Sequence, residues 1–291
     1  MNSIYIVTGQ TATGKTKHAL KLAKEYNGEL ISCDSRQIYD KLDIVTGKDF
    51  ELLQSSGVKI WLYDIVSPKK TFSAHDYREA AQKTITNILS RGKTPIIVGG
   101  TYFYLQELLY ERSKERVEAD WSLRKKLENA SILELQQKLQ KLSPEFFNSL
   151  NQSERNNPHR LIRKIEILSV NPSYKETGAE YEFSPFFSKI KIDITGIKFT
   201  KQIDLQTAIK KRAEERLKNG AVDEVQQLIK LGFKESDPGL QTIGYKQIFQ
   251  YLSGTISEKS MSDEWVSKEV QYAKRQHTFM KFDPNIHWIT L

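Results

Sequence analysis

The chain has 291 residues, of which 38% are hydrophobic and 27% charged, a composition typical of a soluble protein with one large or two modest domains. No apolar run approaches the roughly 20 residues that span a bilayer, and the chain enters a predicted strand without a signal sequence, so we expect a cytoplasmic protein that does not bind membranes. One cysteine and five histidines without ligand spacing exclude an internal disulfide and a cysteine-rich zinc site. The net charge of +8 is compatible with a polyanionic partner such as RNA.

The first patterned stretch is a glycine-rich loop between a predicted strand and a predicted helix. β-Branched and aromatic residues form a strand at 4–7, and apolar residues recur at helical spacing over 17–26. The loop between them fits the pattern of Gly, four spacers, Gly, Lys and Ser/Thr. It consists of Gly9, Gln10, Thr11, Ala12, Thr13, Gly14, Lys15 and Thr16.

Loops of this pattern bind phosphate groups for a physical reason. Their backbone N–H groups turn toward an oligophosphate, and the N-terminus of the following helix adds partial positive charge. Lys15 would reach the outer phosphates, and the Thr16 hydroxyl would hold Mg²⁺. We therefore predict a diphosphate or triphosphate site over residues 9–16. A purely structural turn would not explain why Lys15 and Thr16 begin a helix directly after a buried-type strand.

Strands and helices then alternate up to about residue 110. An apolar strand over 29–35 carries Asp34 at its carboxyl end, and further elements are a strand over 58–64 and a helix over 73–90. A strand over 95–98 runs into Gly99, Gly100 and Thr101. Because ligands bind at the carboxyl ends of strands in open α/β sheets, we expect Asp34 and Thr101 to face one crevice.

The sequence changes character after residue 110. Charged, leucine-punctuated helical sequence with proline-containing breaks occupies residues 111–180, and strand texture returns at 189–194. We predict an α/β fold in which residues 1–110 and 181–291 form a P-loop core, with a parallel sheet flanked by helices. Residues 111–180 are predicted to form a mainly helical insertion domain.

A helix predicted over 203–219 places a cation on an apolar face. Arg212 continues the stripe of Leu205, Ala208 and Ile209, so it should point inward, where a guanidinium needs an anion. The anion could be a bound phosphate group or an acidic neighbour in a structural ion pair. A short strand over 286–291 is predicted to close the sheet.

Several motifs occur in a specific order along the chain. They are the loop at 9–16, Asp34-Ser35-Arg36-Gln37-Ile38-Tyr39, Asp43-Ile44-Val45-Thr46-Gly47-Lys48, Gly99-Gly100-Thr101-Tyr102-Phe103-Tyr104, Asn157-Pro158-His159-Arg160-Leu161-Ile162-Arg163, Arg212 before Gly220 and Asp223-Glu224-Val225, Gln241-Thr242-Ile243-Gly244-Tyr245, and Ala273-Lys274-Arg275-Gln276. Together they resemble the tRNA dimethylallyltransferase family over nearly the whole chain. The loop alone is shared with many nucleotide enzymes, whereas the ordered set is specific.

The resemblance implies a reaction and its catalytic residues. A monomeric enzyme would transfer the dimethylallyl group of dimethylallyl diphosphate to N6 of the adenosine at tRNA position 37, 3′ of the anticodon, in tRNAs that read codons beginning with U. The products would be N6-dimethylallyladenosine and diphosphate, with Mg²⁺ as the cofactor. By this resemblance Asp34 is the general base, Thr101 orients the amine, and Arg212 neutralises the leaving diphosphate.

The resemblance also implies how the anticodon stem-loop of tRNA is bound. Ser35 and Gln37 would grip the extruded adenosine, and arginines of the insertion would hold its neighbours. The implied tRNA-binding residues are Asp34, Ser35, Arg36, Gln37, Thr101, Arg124, His159, Arg160, Leu161, Ile162 and Arg163.

Other interpretations of the same residues remain open. Adenylate isopentenyltransferases share the core motifs and modify free AMP, ADP or ATP, but they need no insertion of this length. A P-loop kinase would use Asp34 to activate a hydroxyl group, and an RNA-binding protein gated by a nucleotide would explain the charge alone. Asp34 could also organise Mg²⁺, Thr101 could cap a helix, and Arg160 with Arg163 could form a solvated stripe.

Two departures from the family pattern stand near the core motifs. Gln10 replaces the usual proline, from which we expect a looser phosphate-binding loop. Ile60-Trp61 occupies the place of two histidines, so any role of that pair is absent.

Overall fold

The computed structural model describes residues 2–111, 117, 119–174 and 181–291. The chain divides into two compact units. The larger unit comprises Met1–Glu111 and Tyr181–Leu291, and the smaller unit comprises Arg112–Glu180. No helix in the described part of the chain is both long and apolar enough to cross a membrane.

The larger unit is built on a six-stranded sheet in which every pairing is parallel. Its strands are β1 (Asn2–Gly9), β2 (Gly28–Ser32), β3 (Ile60–Trp61), β4 (Thr94–Val98), β5 (Ile190–Lys198) and β6 (Ile286–Thr290). They lie in the order β3-β2-β4-β1-β5-β6, which places the strand before the phosphate-binding loop inside the sheet. The predicted α/β fold with a parallel sheet flanked by helices is confirmed.

Thirteen α-helices lie in the described ranges. They are α1 (Lys15–Glu25), α2 (Phe50–Ser56), α3 (Ala74–Ser90), α4 (Tyr102–Leu109), α5 (Trp121–Leu127), α6 (Ile132–Leu142), α7 (Pro144–Ser149), α8 (Gln152–Arg155), α9 (Pro158–Val170), α10 (Gln202–Lys218), α11 (Ala221–Lys230), α12 (Tyr245–Leu252) and α13 (Glu258–Met280). Helices α5 to α9 belong to the smaller unit, and the others flank the sheet or pack on its flanking helices.

Both faces of the sheet are buried because its inner strands are continuous apolar runs. Successive residues of β4 pack into different clusters: Ile97 contacts the cluster that contains residues of α3 and α4, while Ile96 contacts the cluster that contains residues of α1. Both side chains are fully buried. A strand of this kind has no solvent-facing side, which is why its sequence does not alternate.

The predicted strand over residues 58–64 is mostly absent. Only Ile60–Trp61 pairs with β2, because Leu62 and Asp64 adopt left-handed backbone angles, with φ of 67° and 57°. Left-handed residues interrupt the extended conformation that a strand requires. Outside β3, the hydrophobic pattern of this segment therefore reflects burial, since Leu62 is buried and Val58 and Tyr63 pack against a core cluster.

The smaller unit is helical and has its own core. Helix α6 begins with a capping box between Ser131 and Glu134, and α9 begins with Asn157 as its cap and Pro158 in its first turn. The buried apolar side chains of the unit are Leu127, Leu135, Leu139, Phe146, Leu150, Leu161, Ile165 and Leu168.

Candidate active site

The phosphate-binding loop joins β1 to α1 and depends on two glycines. Gly9 has a φ of 122°, and a Cβ atom there would lie 2.1 Å from the carbonyl oxygen of Ile197. Gly14 occupies the left-handed N-cap position of α1, with a φ of 74°. Only glycine adopts such angles without strain, so both residues are required for the turn that begins α1 at Lys15.

Lys15 is held over the loop. Its Nζ donates a hydrogen bond to the carbonyl of Gln10 at 2.6 Å. Burial and, to a smaller extent, the nearby Arg212 lower the pKa of Lys15 to about 8, while Asp34 and Asp49 oppose the shift. A polyanion bound in the loop would compensate this cation, as the phosphate prediction requires.

Gln10 anchors the loop by its side chain and by its backbone. Its Oε1 accepts from the Phe199 amide at 2.9 Å, and its Nε2 donates to the Ala273 carbonyl at 3.4 Å. Its own N–H donates to the Ile197 carbonyl at 3.0 Å, a bond that a proline could not make. The expectation of a looser loop is therefore wrong, because the glutamine ties the loop to β5 and α13.

Asp34 and Thr101 lie beside each other at the carboxyl ends of β2 and β4. The Cys33 amide donates to the Val98 carbonyl at 2.7 Å, and the Thr101 amide donates back to the Cys33 carbonyl at 3.1 Å. Thr101 Oγ1 accepts from the Ser35 amide at 3.0 Å. It makes no capping bond to α4, so the alternative role as a helix cap loses its basis.

The backbone after Asp34 forms a tight turn that is held by side-chain bonds. The Arg36 amide donates to Asp34 Oδ1 at 2.9 Å, and Gln37 Nε2 donates to the Gly47 carbonyl at 3.0 Å. A Cβ at Gly47 would lie 2.4 Å from the Arg216 guanidinium. The Gly47 turn and the Asp34 turn are therefore packed against each other and against α10.

Arg212 faces the loop, as its position on the apolar stripe of α10 predicts. Its guanidinium donates to Thr11 Oγ1 at 2.7 Å and to the Gly47 carbonyl at 3.4 Å. Within the described ranges no ion pair joins it to Glu215 or Asp223, so the alternative of a structural ion pair loses support.

Two cavities meet at Asp34. The first, of about 430 Å³, is lined by the phosphate-binding loop and the side chains around it. The second, of about 560 Å³, is rich in cationic side chains: Arg36, Arg212, Arg216, Lys246, Lys268 and Arg275. Thr11, Asp34, Arg212 and Tyr272 line both cavities. The Asp34 carboxylate thus lines both the cavity at the glycine-rich loop and the basic cavity.

Two residues of α13, Tyr272 and Gln276, also line the crevice around Asp34 and Thr101. The sequence motifs did not predict a role for either. Gln276 accepts from the Thr11 amide at 2.8 Å and donates to the Gly100 carbonyl at 2.9 Å. The Tyr272 phenol interacts with Thr101 and Gln276, and burial raises its pKa to about 12. Gln276 is the last residue of the Ala-Lys-Arg-Gln motif, and this motif could have indicated its place in the site.

Arg216 lies one helical turn after Arg212 and is deeply buried. It pairs with Glu269 at 2.6 Å, and Trp265 Nε1 donates to the same carboxylate at 2.8 Å. Burial lowers the pKa of Arg216 to about 10, and the adjacent Arg212 contributes. The four-residue spacing of the two arginines is the signal that could have identified this second cation.

The predicted RNA contacts of the smaller unit differ in exposure. Arg124 and Arg163 both bind the buried carboxylate of Glu166, with closest distances of 2.6 Å. His159 is exposed and Arg160 is partly exposed on the first turn of α9. Ile162 is half-buried. Leu161 is fully buried in the core of this unit, so neither its side chain nor its backbone is exposed for a contact with RNA.

Trp61, one of the two residues that replace the family's histidines, belongs to a separate ionic cluster. Trp61 Nε1 donates to Glu29 Oε2 at 2.7 Å, and Arg91 and Lys93 pair with the same buried carboxylate. The Arg91 hydrogen bond, stronger than the opposing burial, lowers the pKa of Glu29 to about 2. Trp61 therefore belongs to an ion cluster at the amino end of β2.

Comparison with known proteins places these features in a family. A family model described as IPP transferase matches residues 37–283. A tRNA dimethylallyltransferase of Acetivibrio thermocellus is 37% identical, with 99% of this chain and 92% of that protein covered. The crystal structure of the full-length tRNA isopentenylpyrophosphate transferase of Bacillus halodurans is 31% identical, covers all of this chain and 90% of that one, and has a TM-score of 0.71.

A third comparison concerns the fold alone. A structure of a eukaryotic dimethylallyltransferase acting on tRNA has a TM-score of 0.80 at 23% identity, covering all of this chain and 74% of that one. The two closer relatives match nearly the whole chain, including the loop, Asp34, Thr101 and Arg212. The family model begins after the loop and Asp34 and includes Thr101 and Arg212. The chain therefore belongs to the tRNA dimethylallyltransferase family of transferases.

Proposed function

We propose that this chain transfers the dimethylallyl group of dimethylallyl diphosphate to N6 of an adenosine in tRNA. The observation that carries the proposal is the position of Asp34 between the phosphate cavity and the basic cavity. Alkylation of a nucleobase needs such an arrangement, because the nucleophile must approach the reacting carbon from one side while the leaving group departs on the other.

The phosphate cavity would bind the diphosphate of the donor. The loop amides, Lys15 and Arg212 would neutralise the charge that develops on diphosphate as the carbon–oxygen bond breaks. Mg²⁺, with Thr16 among the residues that would hold it, would supply further positive charge on the same group. Because these charges are fixed before the reaction, they would stabilise the transition state without reorganisation.

The basic cavity would receive the adenosine. The exocyclic amine is a weak nucleophile because its lone pair is delocalised into the ring, so a base must accept a proton from N6 as the new bond forms. Asp34 would accept that proton, and Thr101, held by its bond to the Ser35 amide, would orient the amine. The base must leave its stack to reach this position, and Ser35 and Gln37 would hold it there.

The acceptor we propose is tRNA and not free AMP. The relatives are named for tRNA, and the second cavity carries more cationic side chains than a mononucleotide requires. The proposed target is the adenosine at position 37 in tRNAs that read codons beginning with U. The smaller unit would hold the anticodon arm through Arg124, Arg163 and the first turn of α9, which includes His159 and Arg160.

Incubation with labelled dimethylallyl diphosphate and either unmodified tRNA or AMP, followed by nucleoside analysis, tests the proposal. The expected product is N6-dimethylallyladenosine in tRNA, formed only when Mg²⁺ is present. Efficient modification of AMP with none in tRNA would contradict it and favour the adenylate enzyme. Phosphorylation of a small substrate by ATP would instead favour the kinase alternative.

A further inference from the structure

Thr16, the hydroxyl residue of the phosphate-binding loop, has a carboxylate partner that no motif predicts. Its Oγ1 donates to Asp49 Oδ2 at 2.5 Å. Asp49 lies just before α2, where an aspartate usually accepts a bond from the first turn of its helix, but its side chain makes no such bond. The carboxylate is directed into the phosphate cavity, which it lines together with Lys15 and Thr16.

The preceding residue fixes this orientation. Lys48 is buried, its Nζ donates to the Tyr39 carbonyl at 2.8 Å, and it pairs with Asp43 at 2.7 Å and with Asp64. The backbone before it is also fixed, because Glu224 accepts from the amides of residues 43, 44 and 45. The segment that places Asp49 beside the loop is thus fixed by bonds to its side chains and to its backbone.

A carboxylate at this position would repel a bound phosphate group unless a cation lies between the two. Asp49 is within hydrogen-bond distance of Thr16, a residue of the loop that is expected to bind the phosphates, and two like charges repel at such range. A divalent cation between them reverses the sign of the interaction. P-loop enzymes commonly hold Mg²⁺ with the loop hydroxyl and one aspartate.

The neighbouring strands offer little choice of a second metal ligand. Strand β4, which pairs with β1, is followed by Gly99 and Gly100 and so brings no carboxylate to the loop. Asp34 at the end of β2 is directed to both cavities and is needed for the adenosine. In the described ranges no group of three or more His, Cys, Asp or Glu could hold a metal alone. A cation here must therefore share its ligands with the substrate and water, as Mg²⁺ does in phosphate sites.

We propose that Asp49 and Thr16 form the protein part of a Mg²⁺ site that is completed by the diphosphate of the substrate. This inference rests on the proposed function, since it concerns the same phosphate cavity. Asp49 is then a cation-binding residue that reaches the loop from the segment before α2, and its side chain does not cap that helix.

The test compares Asp49→Asn with a matched control, Glu51→Gln, which removes a charge from an exposed position on the same helix. Asparagine is as good an N-cap as aspartate, so α2 should form in the variant. The affinity for inorganic diphosphate is measured by calorimetry with Mg²⁺ and with EDTA. We expect Mg²⁺ to strengthen binding in the wild type and in Glu51→Gln, and this enhancement to fall about tenfold or more in Asp49→Asn.

The affinity in EDTA separates the proposal from a structural role. If Asp49 binds the cation, its neutralisation leaves metal-free diphosphate affinity unchanged or raises it, because a repelling charge is gone. If Asp49→Asn lowers the affinity for diphosphate equally with Mg²⁺ and with EDTA, then Asp49 only supports the structure of the loop. An unchanged Mg²⁺ enhancement would overturn the proposal outright.

A second measurement does not depend on the transfer reaction. Mn²⁺ added to protein with diphosphate is followed by the loss of its free electron paramagnetic resonance signal. Asp49→Asn and Asp49→Ser should both bind Mn²⁺ more weakly than the wild type, by about tenfold or more. Wild-type affinity in both variants would contradict the inference even if tRNA is modified. If the two variants bind Mn²⁺ more weakly but the wild type forms no tRNA product, the metal site is supported and the proposed function is contradicted.

Discussion

Thr101 Oγ1 accepts a hydrogen bond from the backbone amide of Ser35 at 3.0 Å, across 66 residues of sequence. The bond joins the ends of β4 and β2, and it holds the residue that follows Asp34. With the Arg36 amide on Asp34 Oδ1, it fixes the carboxylate between the two cavities. The proposed base is therefore preorganised before either substrate arrives.

Neutralising Asp34 should affect the chemical step and not binding. We expect Asp34→Asn to lower single-turnover transfer by about a hundredfold or more, since a positioned base contributes on that scale. Affinities for diphosphate and tRNA should remain near wild type. The control is Asp193→Asn, which changes an exposed aspartate of β5. A variant of Asp34 that keeps more than about a tenth of the rate would exclude it as the base.

Removing the cation at Arg212 should weaken donor binding selectively. Arg212→Ala loses the guanidinium that reaches Thr11 of the loop, and a charged contact of this kind typically contributes about 1.5–3 kcal/mol. Calorimetry with an unreactive dimethylallyl diphosphate analogue measures the loss, and filter binding checks that tRNA affinity changes less. Lys210→Ala, on an exposed face of α10, is the control. Unchanged analogue affinity and turnover would leave Arg212 with a structural role only.

The lowered pKa of Lys15 predicts a pH dependence of diphosphate binding. With a pKa of about 8, Lys15 is charged at lower pH and becomes neutral in the free protein as the pH rises through this value. Binding that needs the charged form then requires proton uptake. Between about pH 7 and about pH 9, the affinity ratio of wild type to Lys15→Met should shrink by about tenfold.

The ratio cancels the titration of diphosphate itself, because both proteins are measured with the same ligand. The expected direction is a loss of the wild-type advantage at high pH. A constant ratio across this range would show that Lys15 keeps its charge throughout or makes no contact with the ligand.

Gln10 should contribute to stability through its three loop bonds. Gln10→Ala leaves the Phe199 amide and the Ala273 carbonyl without this partner, and we expect a loss of about 1–3 kcal/mol in the free energy of unfolding. Gln10→Pro, which restores the usual family residue, also removes the bond to Ile197 and should cost more. Urea unfolding measures both, with the exposed Gln202→Ala as control. A Gln10→Pro variant as stable as wild type would contradict this account.

Much of the core could be predicted because its signals are local. Continuous apolar runs identify strands buried on both faces, and a strand followed by Gly9 and Gly14 in fixed spacing identifies a phosphate-binding loop. The inward position of Arg212 follows from helical periodicity alone. Each of these features depends on residues close together in sequence.

The remaining parts of the site depend on contacts between distant segments. Asp49 approaches Thr16 from 33 residues away, through a turn fixed by Lys48, and no periodic pattern marks it. Tyr272 joins the crevice from the middle of α13, where its sequence context resembles any other helical face. The predicted strand over residues 58–64 is similarly cut short by the left-handed backbone angles of Leu62 and Asp64, which the hydrophobic pattern does not indicate.

Two predicted tRNA-binding arginines of the smaller unit, Arg160 and Arg163, should respond differently to charge reversal. Arg160 is partly exposed at the start of α9, whereas Arg163 shares the buried Glu166 with Arg124. Arg160→Glu should weaken tRNA binding without loss of stability. If Arg160 contacts a phosphate, the slope of log affinity against log salt should fall by about one unit.

Arg163→Glu should behave differently, because it places a second carboxylate beside buried Glu166 and leaves that charge with one partner less. We expect it to destabilise the smaller unit by about 3 kcal/mol or more, so its loss of tRNA binding would not by itself identify a contact. Urea unfolding followed by circular dichroism measures the stability, and tRNA affinity is measured at several salt concentrations. Lys210→Glu controls for a general effect of net charge, since this lysine is exposed on α10. An Arg160→Glu variant with wild-type affinity and slope would remove Arg160 from the tRNA-binding surface and leave His159 as the exposed predicted contact on the first turn of α9.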